Sequence, residues 1–442
     1  MPLAKVYLVS LGCPKNLVDS ELMLGQLGQQ GYEATAAIEE ADLILINTCG
    51  FIQSAVEEGI ETILEHARNP GRRAGSRLVV TGCLVQRYGH ELVGELPEVD
   101  LFVGTEDFPR LNSLLAQGPS GKLAHDGPRF LMHSGMPRLL ATPPHRAYLK
   151  ITEGCDNRCA YCLIPSIRGP LRSRGLADIL AEAARLAAAG VRELTLVAQD
   201  LTAYGRDLGL RDGLGELLRQ LDQGCSIPWI RLLYLYPTHI SDVLLEVIAA
   251  SRHVLPYLDI PFQHVSDGVL RAMGRGYGRA DLDRLLVRIR HTLPQAAVRT
   301  TLMVGFPGEG EDDVDQMIDF LQQQQLQHVG VFRYENESGT RAAKLKGRCG
   351  VRLKKARYDK VMAVQRGIST ALQQRYLGQQ VEVLVEGPSR ESEHLLEGRT
   401  VWQAPDIDGC VYIVDGAPAP GTLAQVRITE THPYDLVGEA LD

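Results

Sequence analysis

No apolar stretch in this 442-residue chain approaches the roughly 20 residues needed to cross a bilayer. The run Leu8-Val-Ser-Leu-Gly before Cys13 imitates a lipoprotein box but is too short for the apolar region of a secretory signal. Positive charge is not in excess: 46 Lys and Arg against 54 Asp and Glu leave a formal net charge of -8, which argues against polyanion binding by the whole surface. A nucleic-acid partner would need a local basic patch. There is no repeat of 20 to 50 residues and no low-complexity tract. Nor do the cysteines crowd into a small domain. Nine of them, an odd number spread along the chain, read as metal ligands and buried thiols in a reducing compartment. The expected location is cytoplasmic, with no membrane association.

What the chain does have is Cys155, Cys159 and Cys162 within eight residues, in Gly154-Cys-Asp-Asn-Arg-Cys-Ala-Tyr-Cys162. Three thiolates on such a loop converge, and no His or fourth Cys lies close enough in sequence to finish a local tetrahedral zinc shell. Iron-sulfur cubes take a cysteine thiolate on each iron, so three cysteines leave one iron open to a ligand. A zinc knuckle or buried free thiols are the competing accounts.

The first segment, 1–115, alternates short apolar runs (Lys5 to Leu11, Leu43 to Asn47, Leu78 to Thr81, Leu101 to Val103) with helical patterns. This predicts an open parallel α/β domain. Cys13, Cys49 and Cys83 each follow one of those strands, and ligands of open α/β sheets gather outside the carboxyl ends of strands. Turn chemistry at Gly118-Pro-Ser-Gly-Lys, Gly127-Pro, Pro137 and Thr142-Pro-Pro marks 116–145 as a linker. Residues 146–377 give six strand candidates with helices between, a partial (βα)6 barrel rather than a closed eight. In 378–442, short strands at Val381 to Val385, Thr400 to Gln403, Val411 to Val414, Gln425 to Thr429 and Leu436 to Gly438 predict a small antiparallel β-barrel. That barrel holds twelve acids (Glu382, Glu386, Glu391, Glu393, Glu397, Asp406, Asp408, Asp415, Glu430, Asp435, Glu439, Asp442) against Arg390, Arg399 and Arg427.

The cysteine triplet, placed after the first strand of the central series, resembles that of the radical S-adenosylmethionine superfamily. With Cys13, Cys49 and Cys83, with Ile167-Arg-Gly-Pro-Leu-Arg-Ser-Arg174 and with a barrel of the TRAM kind, the whole chain resembles the methylthiotransferase family. That resemblance implies two [4Fe-4S] clusters, one on Cys155, Cys159 and Cys162 and a second on Cys13, Cys49 and Cys83. It also implies S-adenosyl-L-methionine as cofactor, an external electron donor, and a deoxyadenosyl radical that attacks an unactivated C–H bond. On the family geometry Tyr161 lies against the adenine, although an aromatic there also suits a core. Gln199 and Asp200 hold ribose or the methionine moiety, with helix capping by Asp200 as the competing account. Gly305 allows close backbone approach to the cofactor, or merely ends a strand in a turn. Arg168, Arg172 and Arg174 either neutralise the cofactor carboxylate or clamp a domain interface. Gln263 and His264 point towards the barrel mouth, His264 equally suiting a satisfied core histidine. Cys225, Cys349 and Cys410 are bystanders.

One branch of the family modifies an adenosine of transfer RNA and another an aspartate of a ribosomal protein. Twelve acids against three bases would repel a phosphate backbone and attract a basic protein. The stretches Ser10-Leu-Gly-Cys-Pro-Lys-Asn-Leu-Val-Asp-Ser-Glu21 and Gly398-Arg-Thr-Val-Trp-Gln-Ala-Pro-Asp-Ile-Asp-Gly409 resemble the ribosomal-protein branch. The expectation is an enzyme that places a methylthio group on the β-carbon of an aspartate in the twelfth small-subunit ribosomal protein, without direct nucleic-acid binding. A transfer-RNA enzyme and a non-catalytic metal-binding module that docks on ribosomes are the alternatives.

Overall fold

The computed structural model describes residues 3–117, 122–127, 129–392 and 394–441. The expected turns at 118–121 and Pro128, and the acids Glu393 and Asp442, lie outside them. Strands β1 (Ala4–Ser10), β2 (Tyr32–Ala34), β3 (Leu43–Thr48), β4 (Arg77–Gly82), β5 (Leu101–Val103) and β6 (Leu123–Ala124) form one sheet in the order β2-β1-β3-β4-β5-β6. Every neighbouring pair is parallel. β3 is buried along its whole length because helices cover both faces, as its apolar run Leu43 to Ile46 requires, with the polar Asn47 and Thr48 buried at its carboxyl end. The strand order reverses between β1 and β3, a switch point at which the chain leaves in opposite directions and opens a crevice. β2 and β6 carry no periodicity in sequence, being three and two residues long. β6 falls inside the stretch expected to be linker and adds a sixth strand.

The helices α1 (Pro14–Gln29), α2 (Gln53–Ala67) and α3 (Cys83–Glu95) follow β1, β3 and β4. α1 is unusual in burying polar side chains: Lys15, Asn16, Asp19 and Glu21 are covered along with Leu22 and Leu27. Lys15, Asn16 and Asp19 take partners from the next domain, and Glu21 is held by Arg138 of the connecting segment.

That domain contains β7 (Arg146–Lys150), a two-stranded ribbon of β8 (Thr152–Glu153) and β9 (Arg172–Ser173), then β10 (Glu193–Val197), β11 (Trp229–Leu232), β12 (Val254–Asp259), β13 (Ala297–Val304) and β14 (His328–Arg333). The six long strands lie parallel in the order β7-β10-β11-β12-β13-β14. The sheet stays open, an incomplete barrel as expected. Helices pack outside it through apolar stripes; in the helix Leu176–Ala188, Ile179, Ala183 and Leu186 recur every three or four residues and are buried.

After the helix Val351–Gln373 the chain closes a small barrel from β15 (Gln380–Pro388), β16 (Leu396–Thr400), β17 (Val411–Asp415), β18 (Leu423–Thr431) and β19 (Leu436–Ala440). It departs from the all-antiparallel expectation, since β17 and β19 run parallel. An odd number of strands cannot alternate direction around a closed ring, so one pair must be parallel. The strand expected at Thr400 to Gln403 in fact ends at Thr400, where Gln403 folds back and its Oε1 accepts the Thr400 N–H at 3.0 Å.

The acids of this barrel are not all free. Glu386 meets His145 at 2.9 Å, Asp406 meets Arg146 at 2.9 Å, Asp408 accepts from the Tyr257 hydroxyl at 2.6 Å, and Glu382 accepts from the Trp229 indole at 3.3 Å. Arg399 enters the central domain to pair with Glu193, which also holds Arg231 at 2.6 Å. Four of the twelve acids therefore fasten the barrel to the barrel-like sheet beneath it. Glu391, Asp415 and Glu430 remain exposed and Glu397, Asp435 and Glu439 half-buried, with Arg427 exposed beside them.

Candidate active site

The mouth of the central sheet faces the β1/β3 switch point across a cavity of about 330 Å³ lined by all six expected cysteines: Cys13, Cys49, Cys83, Cys155, Cys159 and Cys162. Cys13 sits at the start of α1, Cys49 just past β3, and Cys83 at the first position of α3. The turn into α3 depends on Gly82. Its φ is +102°, and a Cβ there would lie 2.3 Å from Asn47 Oδ1 and 2.4 Å from the Thr48 carbonyl oxygen. Asn47 donates to the Asn16 carbonyl at 2.8 Å, Asn16 to the Thr48 carbonyl at 2.9 Å and the Thr48 hydroxyl to the Thr81 carbonyl at 2.6 Å, so the ends of β1, β3 and β4 are tied to one another behind the thiols.

The second trio is held by its own backbone. The Cys155 N–H donates to the Gly169 carbonyl at 3.1 Å, while Asn157 N–H and Ile164 N–H donate to the Cys155 and Cys162 sulfurs, each at 3.4 Å. Arg275 donates to the Cys159 sulfur at 3.3 Å. Burial is the largest influence on these thiols, pushing Cys155 up to about 11 and Cys49 and Cys162 up to about 12. Burial works the same way at Cys13, but there Lys15, the Asn16 N–H and Arg168 outweigh it and the thiol is lowered. No three His, Cys, Asp or Glu side chains among the described residues surround a single point as ligands of one metal ion would. Cube thiolates each take a different iron and need no such common point. Two sets of three thiols, with N–H groups and cations directed at the sulfurs, fit two iron-sulfur cubes by donor chemistry.

Arg168 is the hinge-pin of the arrangement. Its Nε donates to the Cys83 sulfur at 3.3 Å, Nη1 to Asp19 at 2.7 Å, and Nη2 to Asn16 at 2.6 Å, all in the other domain. Lys150 completes the cluster, pairing with Asp19 and, at 2.8 Å, with Glu153. Of the three arginines singled out in sequence, only Arg168 lines the cavity. Arg172 turns to Glu106 at 3.1 Å, and Arg174 to Asp178 and Glu182.

Tyr161, Gln199, Asp200 and Gln263 also line the cavity. Gln199 donates to Glu153 at 3.1 Å, and its buried Oε1 has no protein partner. Asp200 accepts from Asn157 at 2.7 Å and so steadies the cysteine loop. Gly305 does not line the cavity. Its N–H is taken by Glu309 at 2.9 Å, and the space a side chain would need is filled by Lys354, whose Cγ would lie 2.4 Å from a Cβ. His264 is likewise a core residue, buried, with Nδ1 accepting from the Ser266 N–H at 3.0 Å. Cys225 belongs to the central core, Cys349 accepts from Arg357, and Cys410 faces Asp435.

Sequence reasoning passed over Lys15, Tyr234, Tyr236 and Arg275, which also line the cavity. Arg275 stacks 4.2 Å from the Tyr236 ring centre and bonds the Tyr277 hydroxyl at 2.7 Å. Nothing local marks it as a partner of Cys159. Tyr234 and Gln263 are held at φ +66° and +69°. Such left-handed conformations cost about 1–3 kcal/mol each and cluster at functional sites.

An open parallel α/β domain facing the mouth of a partial (βα)6 barrel, with cysteines on both sides, is the build of a radical S-adenosylmethionine enzyme. Residues 149–321 match the radical SAM superfamily, 377–441 the TRAM domain, and 5–104 the uncharacterized protein family UPF0004. Solved structures agree on the fold. The radical S-adenosylmethionine methyltransferase TsrM from Kitasatospora setae, with cobalamin and a [4Fe-4S] cluster bound, superposes with a TM-score of 0.56 over 77% of each chain at 16% identity. The S-adenosylmethionine radical enzyme OxsB gives 0.51 over 82% of this chain and 56% of its own at 13% identity.

Ribosomal protein uS12 methylthiotransferase RimO of Desulfotalea psychrophila is 49% identical over 98% of both chains, and that of Anaeromyxobacter sp. strain K 48% identical over 99% of this chain and 93% of its own. The chain belongs to the RimO family of methylthiotransferases.

Proposed function

We propose that this protein transfers a methylthio group to the β-carbon of an aspartate of ribosomal protein uS12, using two [4Fe-4S] clusters and S-adenosyl-L-methionine. One observation carries the reading: six thiols from two domains line a single cavity. The curated relatives, named uS12 methylthiotransferases along their full length, agree with it. On this reading Cys155, Cys159 and Cys162 hold the cluster that works with S-adenosyl-L-methionine. Cys13, Cys49 and Cys83 hold the cluster from which sulfur is delivered. When bound, such cubes supply one-electron chemistry and an iron with an open position.

The chain's own residues do the rest. Arg168 and Lys150 fix the two trios relative to one another through Asp19 and Glu153. Tyr161 and Gln199 offer a ring and an unpartnered amide oxygen for S-adenosyl-L-methionine. The acids of the small barrel that stay clear of the docking interface, Glu391, Asp415 and Glu430 among them, form the surface that suits a basic ribosomal protein. An external reductant supplies electrons. No helix among the described residues is long and apolar enough to cross a membrane, and a cytoplasmic setting fits a ribosomal substrate.

Anaerobically prepared protein is expected to carry about eight irons and eight sulfides per chain, as two cubes require. In an anaerobic assay offered uS12 and transfer RNA side by side, sulfur should appear on uS12. Zinc in place of iron, or sulfur on transfer RNA, would overturn the reading.

A further inference from the structure

Lys15 lies in the second residue after Cys13, near the start of α1, and its ammonium reaches into the cavity from the N-terminal side. Nζ touches the Ala198 carbonyl oxygen at 3.3 Å and lies 3.8 Å from the centre of the Tyr234 ring. Among the described residues it has no carboxylate in ion-pair range, although Asp19, one turn along the same helix, is paired with Lys150 and Arg168. The other cations of the cavity are engaged. Arg168 holds two carboxylates, and Arg275 is bonded to Cys159 and stacked on Tyr236. An ammonium carries three donors, so Lys15 keeps two for a ligand. A covered cation without a carboxylate partner is costly. Tyr234, strained at φ +66°, holds its ring against that ammonium. The geometry thus leaves Lys15 open to a carboxylate in the cavity that both cysteine trios line.

We infer that Lys15 receives the side-chain carboxylate of the substrate aspartate and is a specificity-determining residue; this rests on the function proposed above. A carboxylate held there stands in the cavity that both trios line. An amide of the same shape would leave the ammonium unpaired.

The test is equilibrium binding, under anaerobic conditions, of cluster-loaded enzyme to intact uS12 and to uS12 carrying Asn at the target position. Wild-type enzyme should prefer the aspartate form on the order of ten- to a hundredfold, the range of a hydrogen bond to a charged group. Lys15→Met should bind both forms at the asparagine level with unchanged iron content, and Lys15→Arg should restore part of the preference. The inference is overturned if wild type shows no preference, if Lys15→Met keeps it or weakens both forms equally, or if that variant loses iron. The last outcome would assign Lys15 to the sulfur ligands instead. Lys15→Gln, shorter and polar, repeats the comparison if the methionine variant misfolds. Wild-type enzyme that neither binds uS12 nor passes sulfur to it would defeat the proposed function as well.

Discussion

Arg168 reaches out of the central domain to donate a hydrogen bond to the sulfur of Cys83, 85 positions earlier, at 3.3 Å. The same guanidinium holds Asp19 and Glu153, so a thiol of one trio and the scaffold of the other share a single buried cation. Replacing it by leucine leaves buried carboxylates with only Lys150 for compensation. Breaking a buried pair in this way costs roughly 3–5 kcal/mol. Arg168→Leu is therefore expected to lower the urea midpoint sharply, and Arg168→Lys, which keeps charge but loses the fork, by less. Equal midpoints for wild type and the leucine variant would refute the assignment.

The docking of the small barrel should depend on pH. Burial would raise Glu193 and Glu386, but Arg399 and Arg231 beside the first, and the His145 hydrogen bond and Arg399 beside the second, hold both at about 2. A carboxylate depressed in the folded state confers stability that is complete above its unfolded value, about 4.3, and is lost as pH falls towards 2. Each is worth on the order of 3 kcal/mol, less than additive because Arg399 serves both. Urea midpoints measured from pH 7 to 3 should hold steady and then drop below about pH 4.5. Glu193→Gln should flatten that drop while lowering stability at neutral pH.

Two glycines with positive φ are expected to respond differently to alanine. At Gly82 the new Cβ meets Asn47 and the Thr48 backbone, which cannot yield without moving the Cys83 turn. Gly82→Ala should keep only about four of the eight irons of two cubes. At Gly305 the obstacle is the flexible Lys354 stem. There the cost is about 1–2 kcal/mol of backbone strain, with full iron content.

Cys159→Ala should abolish formation of deoxyadenosine from S-adenosyl-L-methionine while leaving about four irons, those of the other trio. Undiminished deoxyadenosine would show that this thiol has no part in cofactor cleavage.

Much of the scaffold is visible in one dimension. All six long central strands and N-terminal β1, β3, β4 and β5 announce themselves as apolar runs, because strands buried on both faces tolerate little else. β2, Tyr-Glu-Ala and largely exposed, has no apolar run, and β6 is only two residues long. The acidic barrel misleads in part: composition counts Glu382, Glu386, Asp406 and Asp408 as free charge, whereas they meet Trp229, Arg146 and Tyr257 of the central domain and His145 just before it. Gly305 misleads for a related reason, since a glycine cleared for a lysine stem and one cleared for a ligand look identical in sequence.

The sequence by itself determined the thiols and their strand-end positions, because a cysteine that follows a strand of a parallel sheet has only the carboxyl edge to occupy. Tertiary structure alone decided that the two carboxyl edges face each other, that Arg168 and Arg275 are directed at sulfur, and that Lys15 is left without a carboxylate. Those relations join residues 85 or more positions apart, or depend on which neighbour has already claimed a charge. Only the packed chain fixes such competition, since each buried ion settles on the partner that geometry, not sequence distance, brings within reach.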